Sequence, residues 1–214
     1  VSVNYDTEWL LNYWKTGDIG DVFRTNVHQA LRTAEPGFSF NFFDKENETL
    51  RNACTEVTSE DDSDVCNLGS VNMGRIDNLS EFADVVELGT KFLLCGTLRA
   101  KLPYDKVYKT REKNRRLGLG LMGMHEWLIK GGEKYEVTEG LHKWLAVYKG
   151  VSDNTSTKFA DTLGCSRPVA NRAIAPTGSI GILAGTSTGV EPIFAVAYKR
   201  RYLKGGNRWH YQYV

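Results

Sequence analysis

The chain has 214 residues and carries 27 Lys and Arg against 26 Asp and Glu, a formal net charge of +1. This balance gives no reason to expect a nucleic acid polymer or a membrane as the main partner, and no apolar run approaches the roughly 20 residues of a membrane span. With no signal peptide and only four scattered cysteines, the sequence predicts a soluble, cytoplasmic protein.

The N-terminal part of the chain predicts two helices and a strand. Apolar residues recur at helical spacing over residues 6–33, before a break at Pro36 and Gly37. The run FSFNFF at 38–43 then alternates as a strand does.

The segment RNACTEVTSEDDSDVCNLGSVNM, residues 51–73, is the most informative part of the chain. It places an amide (Asn52), a thiol (Cys54) and a carboxylate (Glu56) at alternate positions, and a second thiol (Cys66) follows an acidic stretch. In an extended backbone alternate side chains leave the same face. The spacing therefore predicts that the first three groups converge on one small substrate.

The next elements are a helix and two charged runs. A core-facing helix is predicted from a Ser80 N-cap, with Cys95 buried near its end and an apolar stripe of Phe82, Val85, Val86, Gly89, Phe92 and Leu93. The acidic run at 59–64 and the basic run at 109–116 are interpreted as solvated surface. No CxxC motif is present and the four histidines lack ligand spacing, so no metal site is predicted.

Gly118, Gly120 and Gly123 spell GxGxxG, which invites a dinucleotide-binding interpretation. The residues before Arg116 are a charged run and not a buried strand, and no clear second strand precedes Glu133. Close packing of a strand against a helix explains these glycines better.

The last third of the chain predicts a long helix and a candidate phosphate site. The helix runs from about Thr138 to Leu163 with Gly164 as its C-cap, and Cys165 is interpreted as structural. A short strand then leads through Pro176 into an apolar helix that opens with Thr177, Gly178, Ser179 and Ile180. Helix N-termini attract phosphate, although Ser and Thr there are also ordinary caps. The final HYQYV looks like an unfinished strand, and strands alternating with long helices indicate an α/β fold.

Five blocks of sequence carry a resemblance to the catalytic chain of ribonucleotide reductases. The resemblance runs from about Pro36 to the C-terminus. In order, the blocks are NACTE (52–56), CNLGSVNM (66–73), RRLGLGLMG (115–123), APTGSIGILAG (175–185) and GVEPIFAVAYKR (189–200).

The resemblance implies a role for each candidate residue. Cys54 matches the cysteine that becomes a thiyl radical and takes the 3′ hydrogen of the ribose. Glu56 matches the carboxylate that accepts the 3′ hydroxyl proton, and Asn52 matches an amide that binds the substrate. Cys66 matches one member of the reducing thiol pair. Residues 177–180 match the family's site for the substrate phosphates.

The resemblance also implies a fold and partners. The family fold is a ten-stranded α/β barrel with a central finger loop, and residues 1–214 are expected to form an incomplete part of that barrel domain. The expected partners are a ribonucleotide, the rest of the barrel, and a thioredoxin-like reductant acting through a C-terminal cysteine pair that this chain lacks. The second cysteine of the reducing pair belongs to an earlier strand, so the chain is expected to be inactive alone.

The radical source stays open between two classes. Only eleven residues separate Cys54 from Cys66, which resembles the adenosylcobalamin-dependent class II enzymes. One alternative is a class I-type large subunit whose radical comes from a metal-bearing partner subunit. Another is a non-catalytic nucleotide- or phosphate-binding fragment with inert cysteines.

Overall fold

The computed structural model describes residues 1–213, which contain seven α-helices, two 3₁₀ helices and eight strands. The helices are α1 (Thr7–Thr16), α2 (Gly20–Thr33), α3 (Leu79–Arg99), α4 (Asp105–Asn114), α5 (Met124–Lys130), α6 (Glu139–Leu163) and α7 (Gly178–Ala184). The strands are β1 (Ser2–Tyr5), β2 (Gly37–Phe40), β3 (Leu50–Arg51), β4 (Thr58–Ser59), β5 (Asn67–Asn72), β6 (Leu117–Met122), β7 (Lys199–Lys204) and β8 (Arg208–Tyr213). None of the helices within 1–213 has the length and apolar character that crossing a bilayer requires.

The main core lies between a parallel strand pair and the two longest helices. β5 pairs with β6 along its whole length, and a bridge from Leu119 to Arg172 places a third segment beside β6. β6 is buried at every position, because chain segments flank it on both sides and α3 and α6 cover it. The buried cluster includes Val71, Met73, Phe82, Val86, Leu94, Leu117, Leu121, Trp144 and Tyr148.

A smaller unit forms at the N-terminus, where β1 and β2 pair in parallel beside α1 and α2. The two helices predicted over residues 6–33 are confirmed. The strand predicted at 38–43 covers only Gly37–Phe40, because its pairing with β1 ends at Tyr5 and Phe40, and a 3₁₀ turn follows at Phe43. Aromatic rings fill this unit, with ring centroids 5.0 to 6.3 Å from that of Tyr5: Trp9, Phe23, Phe38 and Phe40.

α3 differs from its prediction at its start and on its exposed face. Its N-cap is Asn78 and not Ser80, since the Asn78 side chain accepts a hydrogen bond of 3.0 Å from the Glu81 backbone N–H. Phe92, predicted as core, is 73% exposed, and the prediction that Cys95 is buried is also wrong. Two threonines at 90 and 97 occupy buried positions instead, which shifts the buried face away from both residues.

α6 confirms its prediction at both ends. The Thr138 hydroxyl accepts the Leu141 backbone N–H at 3.1 Å, and Gly164 closes the helix with a left-handed φ of 63°. Cys165 is half-buried and packs against the main core, in agreement with a structural role.

The α/β class is confirmed, whereas residues 1–213 form four two-stranded sheets and no closed barrel. The strand predicted for HYQYV is present as β8, paired with β7, and Val214 lies outside the described residues. The strand predicted before Pro176 is reduced to the single bridge at Arg172.

The GxGxxG glycines permit close approach, but the predicted packing against a helix is wrong. The nearest atoms at Gly118 and Gly120 belong to β5, to Cys66 directly before it, and to Ala173. A Cβ at Gly120 would stand 2.6 Å from the carbonyl oxygen of Ala173, and one at Gly118 would stand 2.8 Å from the Cys66 sulfur. Gly123 adopts a left-handed φ of 72°. The element before β6 is α4 and not a strand, so the βαβ arrangement of a dinucleotide site is absent from 105–130.

Gly120→Ala is expected to destabilise the protein by about 1–3 kcal/mol, because the new methyl group must displace the backbone at Ala173. Urea unfolding of the protein measures the effect. Gly150→Ala is the matched control, since a Cβ there meets nothing within 4 Å inside α6. The control should stabilise by roughly 0.5–1 kcal/mol, and equal shifts for both variants would contradict the packing argument.

Candidate functional site

Residues 52–57 form a tight turn between β3 and β4, and not the extended strand that the alternating pattern predicted. The Thr55 backbone N–H donates to the Asn52 carbonyl at 3.1 Å, and Thr55 has a left-handed φ of 68°. The Asn52 side-chain oxygen accepts the Val57 N–H at 3.1 Å. Asn is favoured in turns because its side chain bonds nearby backbone in this way.

The turn places its functional groups in different surroundings. Cys54 is exposed at the tip. Glu56 is half-buried, and its Oε2 atom is fully buried without a hydrogen-bond partner. A buried carboxylate oxygen with no protein donor is costly, so this atom is available to a group that the protein itself does not supply.

Two cavities meet at Cys66, which lies directly before β5. One, of about 370 Å³, is lined by Asn52, Cys66 and part of the acidic loop. The other, of about 200 Å³, is lined by Glu56, Cys66 and Arg172 among others. The structure thus brings Asn52, Glu56 and Cys66 together, whereas Cys54 lines neither cavity.

Burial raises the pKa of the Cys66 thiol to about 12. The nearby guanidinium of Arg116 lowers this pKa, and the carboxylates of Asp64 and Glu56 raise it further. Cys66 is therefore a protonated thiol at neutral pH, able to give up a hydrogen atom but poorly nucleophilic.

The acidic and basic runs pack against each other, so their interpretation as solvated surface is wrong for Asp64 and for the end of the basic run, whereas Glu60, Asp62 and Lys113 are exposed. Asp64 Oδ2 lies 2.8 Å from Arg116 Nε, and these side chains are only 7% and 8% exposed. Lys113 contacts Asp61 at 2.8 Å nearer the surface. Sequence reasoning missed these residues because each run alone resembles a solvent-facing segment. The only signal was two runs of opposite charge in one chain.

The predicted phosphate site lies at the start of α7, and none of its four residues lines either cavity. Thr177 is buried with a left-handed φ of 52°, and its hydroxyl oxygen accepts the Gly189 backbone N–H at 2.7 Å. Gly178, Ser179 and Ile180 are exposed, and a Cβ at Gly178 would meet nothing within 4 Å. The hydroxyl of Thr177 therefore anchors a loop, while the first turn of α7 has open space before it.

No group of three or more His, Cys, Asp or Glu side chains placed to hold a metal ion occurs in the part of the chain that the structure describes. Fold and site together define a class: an α/β domain in which one thiol and a carboxylate with an unpartnered oxygen line the same small cavity.

A family model described as "Ribonucleotide reductase, barrel domain" matches residues 7–164 and 166–213. The chain belongs to this ribonucleotide reductase family.

Curated relatives agree with the family. A protein of Mycobacterium phage D29, named as an adenosylcobalamin-dependent ribonucleoside-triphosphate reductase, is 30% identical over 193 residues, which are 84% of this chain and 28% of that protein. The vitamin B12-dependent ribonucleoside-diphosphate reductase of Thermoplasma acidophilum is 29% identical over 234 aligned positions, 95% of this chain and 30% of that protein. The chain thus spans less than a third of these relatives.

Solved structures share the fold. A B12-dependent class II ribonucleotide reductase superposes with a TM-score of 0.73 at 18% identity, covering 94% of this chain and 31% of that one. The alpha subunit of the Actinobacillus ureae class Id reductase superposes with a TM-score of 0.72 at 22% identity, covering 89% and 43%. Because both classes share it, the fold alone does not discriminate between radical sources.

Proposed function

We propose that residues 1–214 form part of the catalytic barrel domain of a ribonucleotide reductase, which replaces the 2′ hydroxyl of a ribonucleotide with hydrogen. In this proposal the chain supplies part of a ten-stranded barrel, and the 52–57 turn is the tip of its finger loop. One observation carries the assignment: Glu56, whose Oε2 atom is buried and unpartnered, lines the same cavity as Cys66.

The residues of the turn are assigned the first half of the reaction. Cys54, as a thiyl radical, takes the hydrogen atom from C3′ and becomes a thiol. Glu56 accepts the 3′ hydroxyl proton, which eases loss of the 2′ hydroxyl as water, and Asn52 hydrogen-bonds the substrate. Support comes from the exposure of Cys54 and from the free acceptor on Glu56.

Cys66 is assigned the reducing half. Its thiol and a second cysteine thiol, from another segment of the full-length protein, together give two electrons and two protons and form a disulfide. Once C3′ has regained its hydrogen atom from Cys54, which restores the radical, and O3′ has regained its proton from Glu56, the net change is a hydrogen gained at C2′ and an oxygen lost as water, so atoms and electrons balance. A thioredoxin-like protein, acting through a C-terminal cysteine pair, then reduces the disulfide. Such cycling suits a reducing compartment, and the proposed location is the cytoplasm.

The substrate phosphates are assigned to the first turn of α7, at Thr177, Gly178, Ser179 and Ile180. The supporting observations are the exposure of the last three residues and the open space around Gly178. Backbone N–H groups at a helix N-terminus suit a phosphate.

Adenosylcobalamin is the proposed cofactor, in keeping with the names of the relatives. When bound, it would supply the radical from which the Cys54 thiyl is generated. The residues present fit this cofactor in one respect. The Cys54 thiol is exposed, so a cofactor bound outside the 52–57 turn could reach it. The contribution of this chain is that thiol.

The test is deoxynucleotide formation by the full-length protein with a dithiol reductant, with and without adenosylcobalamin. We expect product only with the cofactor, from a ribonucleoside di- or triphosphate. Product that appears only when a metal-bearing partner subunit is added would assign the class I alternative. No product under either condition, despite nucleotide binding, would refute the reductase assignment.

A further inference from the structure

The buried ion pair stands next to the proposed redox thiol. Asp64 lies two residues before Cys66, and Arg116 directly precedes Leu117, which pairs with Asn67 across β5 and β6. The two charged residues therefore meet at the end of the strand pair where Cys66 lies. Arg116 also lines the smaller cavity together with Cys66.

The carboxylate of Asp64 is held from several sides. Its Oδ2 accepts from Arg116 Nε at 2.8 Å, from the Ser59 hydroxyl at 2.8 Å and from the Asn114 side chain at 3.0 Å. Its Oδ1 accepts the backbone N–H of Val65 at 2.8 Å. This network fixes the backbone directly before Cys66 to β4 and to the end of α4.

Burial of such a pair needs a reason besides stability. Removing two charges from water costs several kcal/mol, and apolar replacements of buried pairs are often about as stable. Exposed pairs of the same two runs, such as Glu60 with Lys113 at 3.8 Å, carry no such cost.

We propose that Asp64 and Arg116 are positioning residues for Cys66: they hold its sulfur at the junction of the two cavities, and the carboxylate balances the guanidinium charge that faces the thiol. The inference rests on the proposed reductase function, in which Cys66 must be placed for oxidation.

The expected reactivity of the Cys66 thiol depends on the charged side chains of the elements packed around it. The pKa of Cys66, raised mainly by burial, is lowered by Arg116 and raised by Asp64 and Glu56. Loss of Asp64 should therefore favour the thiolate, and loss of Arg116 should disfavour it. The other charged side chains that line the two cavities, unchanged in these variants, are Lys45, Glu48, Arg51, Asp61, Asp62 and Arg172.

The test is the rate at which iodoacetamide alkylates Cys66 in the folded full-length protein at pH 8.5, followed by mass spectrometry of the Cys66 peptide. Asp64→Asn should accelerate alkylation by about tenfold, the effect of one pKa unit. Arg116→Gln should slow it, and Arg116→Lys, which keeps the charge, should stay near wild type. Asp161→Asn, which breaks an exposed pair with Arg167, is the control and should change nothing.

An ion pair of Asp64 and Arg116 with only a structural role predicts a different pattern of alkylation rates. If it only fastened the loop, Asp64→Asn and Arg116→Gln would both expose the thiol and both accelerate alkylation, which would overturn the proposal. Should Arg116→Gln fail to fold, Asp64→Ala decides: equal rates for the Ala and Asn variants support charge balance, and a much faster Ala variant contradicts it.

Turnover separates this inference from the function on which it rests. Where the wild type reduces ribonucleotides, Asp64→Asn should lower kcat with little change in KM, because the substrate still binds beside a misplaced sulfur. An unchanged kcat would overturn the positioning role. A wild type without reductase activity would refute the proposed function, while the alkylation rates would still report on the ion pair.

Discussion

Cys54→Ser is expected to abolish deoxynucleotide formation while leaving ribonucleotide affinity unchanged. A serine O–H bond is much stronger than a thiol S–H bond, so the substituted residue cannot form the radical that takes the 3′ hydrogen. Because Cys54 is exposed at the tip of a turn, folding should change by less than about 0.5 kcal/mol. Product chromatography and calorimetric titration of the nucleotide measure the two effects in the full-length protein.

Cys95→Ser is the matched control for this prediction, since Cys95 is also an exposed thiol but lies on α3. It should retain full activity. Reduction that survives Cys54→Ser with nucleotide binding intact would favour the alternative in which the chain binds nucleotide without catalysis.

Glu56→Gln is expected to lower kcat by about 10²–10⁴-fold, the usual contribution of a general base. The amide has nearly the same shape but cannot accept the 3′ hydroxyl proton. Since Oε2 of Glu56 has no partner in the protein, the substitution breaks no hydrogen bond at that atom, and stability and KM should change little. Steady-state kinetics of the full-length protein separate kcat from KM.

Glu60→Gln controls for loss of a carboxylate as such, because Glu60 is exposed on the acidic loop. Its kcat should match that of the wild type. A Glu56→Gln variant that raised KM and kept kcat would instead make Glu56 a substrate-binding residue.

Features governed by local chemistry could be predicted from the sequence. The caps of α6 at Thr138 and Gly164 are local signals, and the structure confirms both. The close approach at Gly118 and Gly120 also follows from residue type, since only glycine leaves room for a neighbouring segment. The ordered sequence blocks identified the family without any structure.

Features that depend on distant partners could not be predicted in the same way. The alternation of Asn52, Cys54 and Glu56 looks like a strand, but an Asn side chain that bonds the backbone at Val57 closes a turn instead. Burial of Asp64 and Arg116 required each charged run to meet the other across about fifty residues of chain. The sequence also misplaces the buried face of α3. Thr90 and Thr97 pack in the core, so the two faces of the helix differ less in polarity than usual.

The redox state of Cys66 after a single turnover tests the proposed chemistry most directly. The full-length protein receives adenosylcobalamin and excess ribonucleotide without external reductant, and is then denatured, alkylated and analysed by mass spectrometry. We expect about one deoxynucleotide for each oxidised cysteine pair, with Cys66 recovered in a disulfide. Deoxynucleotide formed in that amount while Cys66 remains a free thiol would contradict the assignment of Cys66 as reductant.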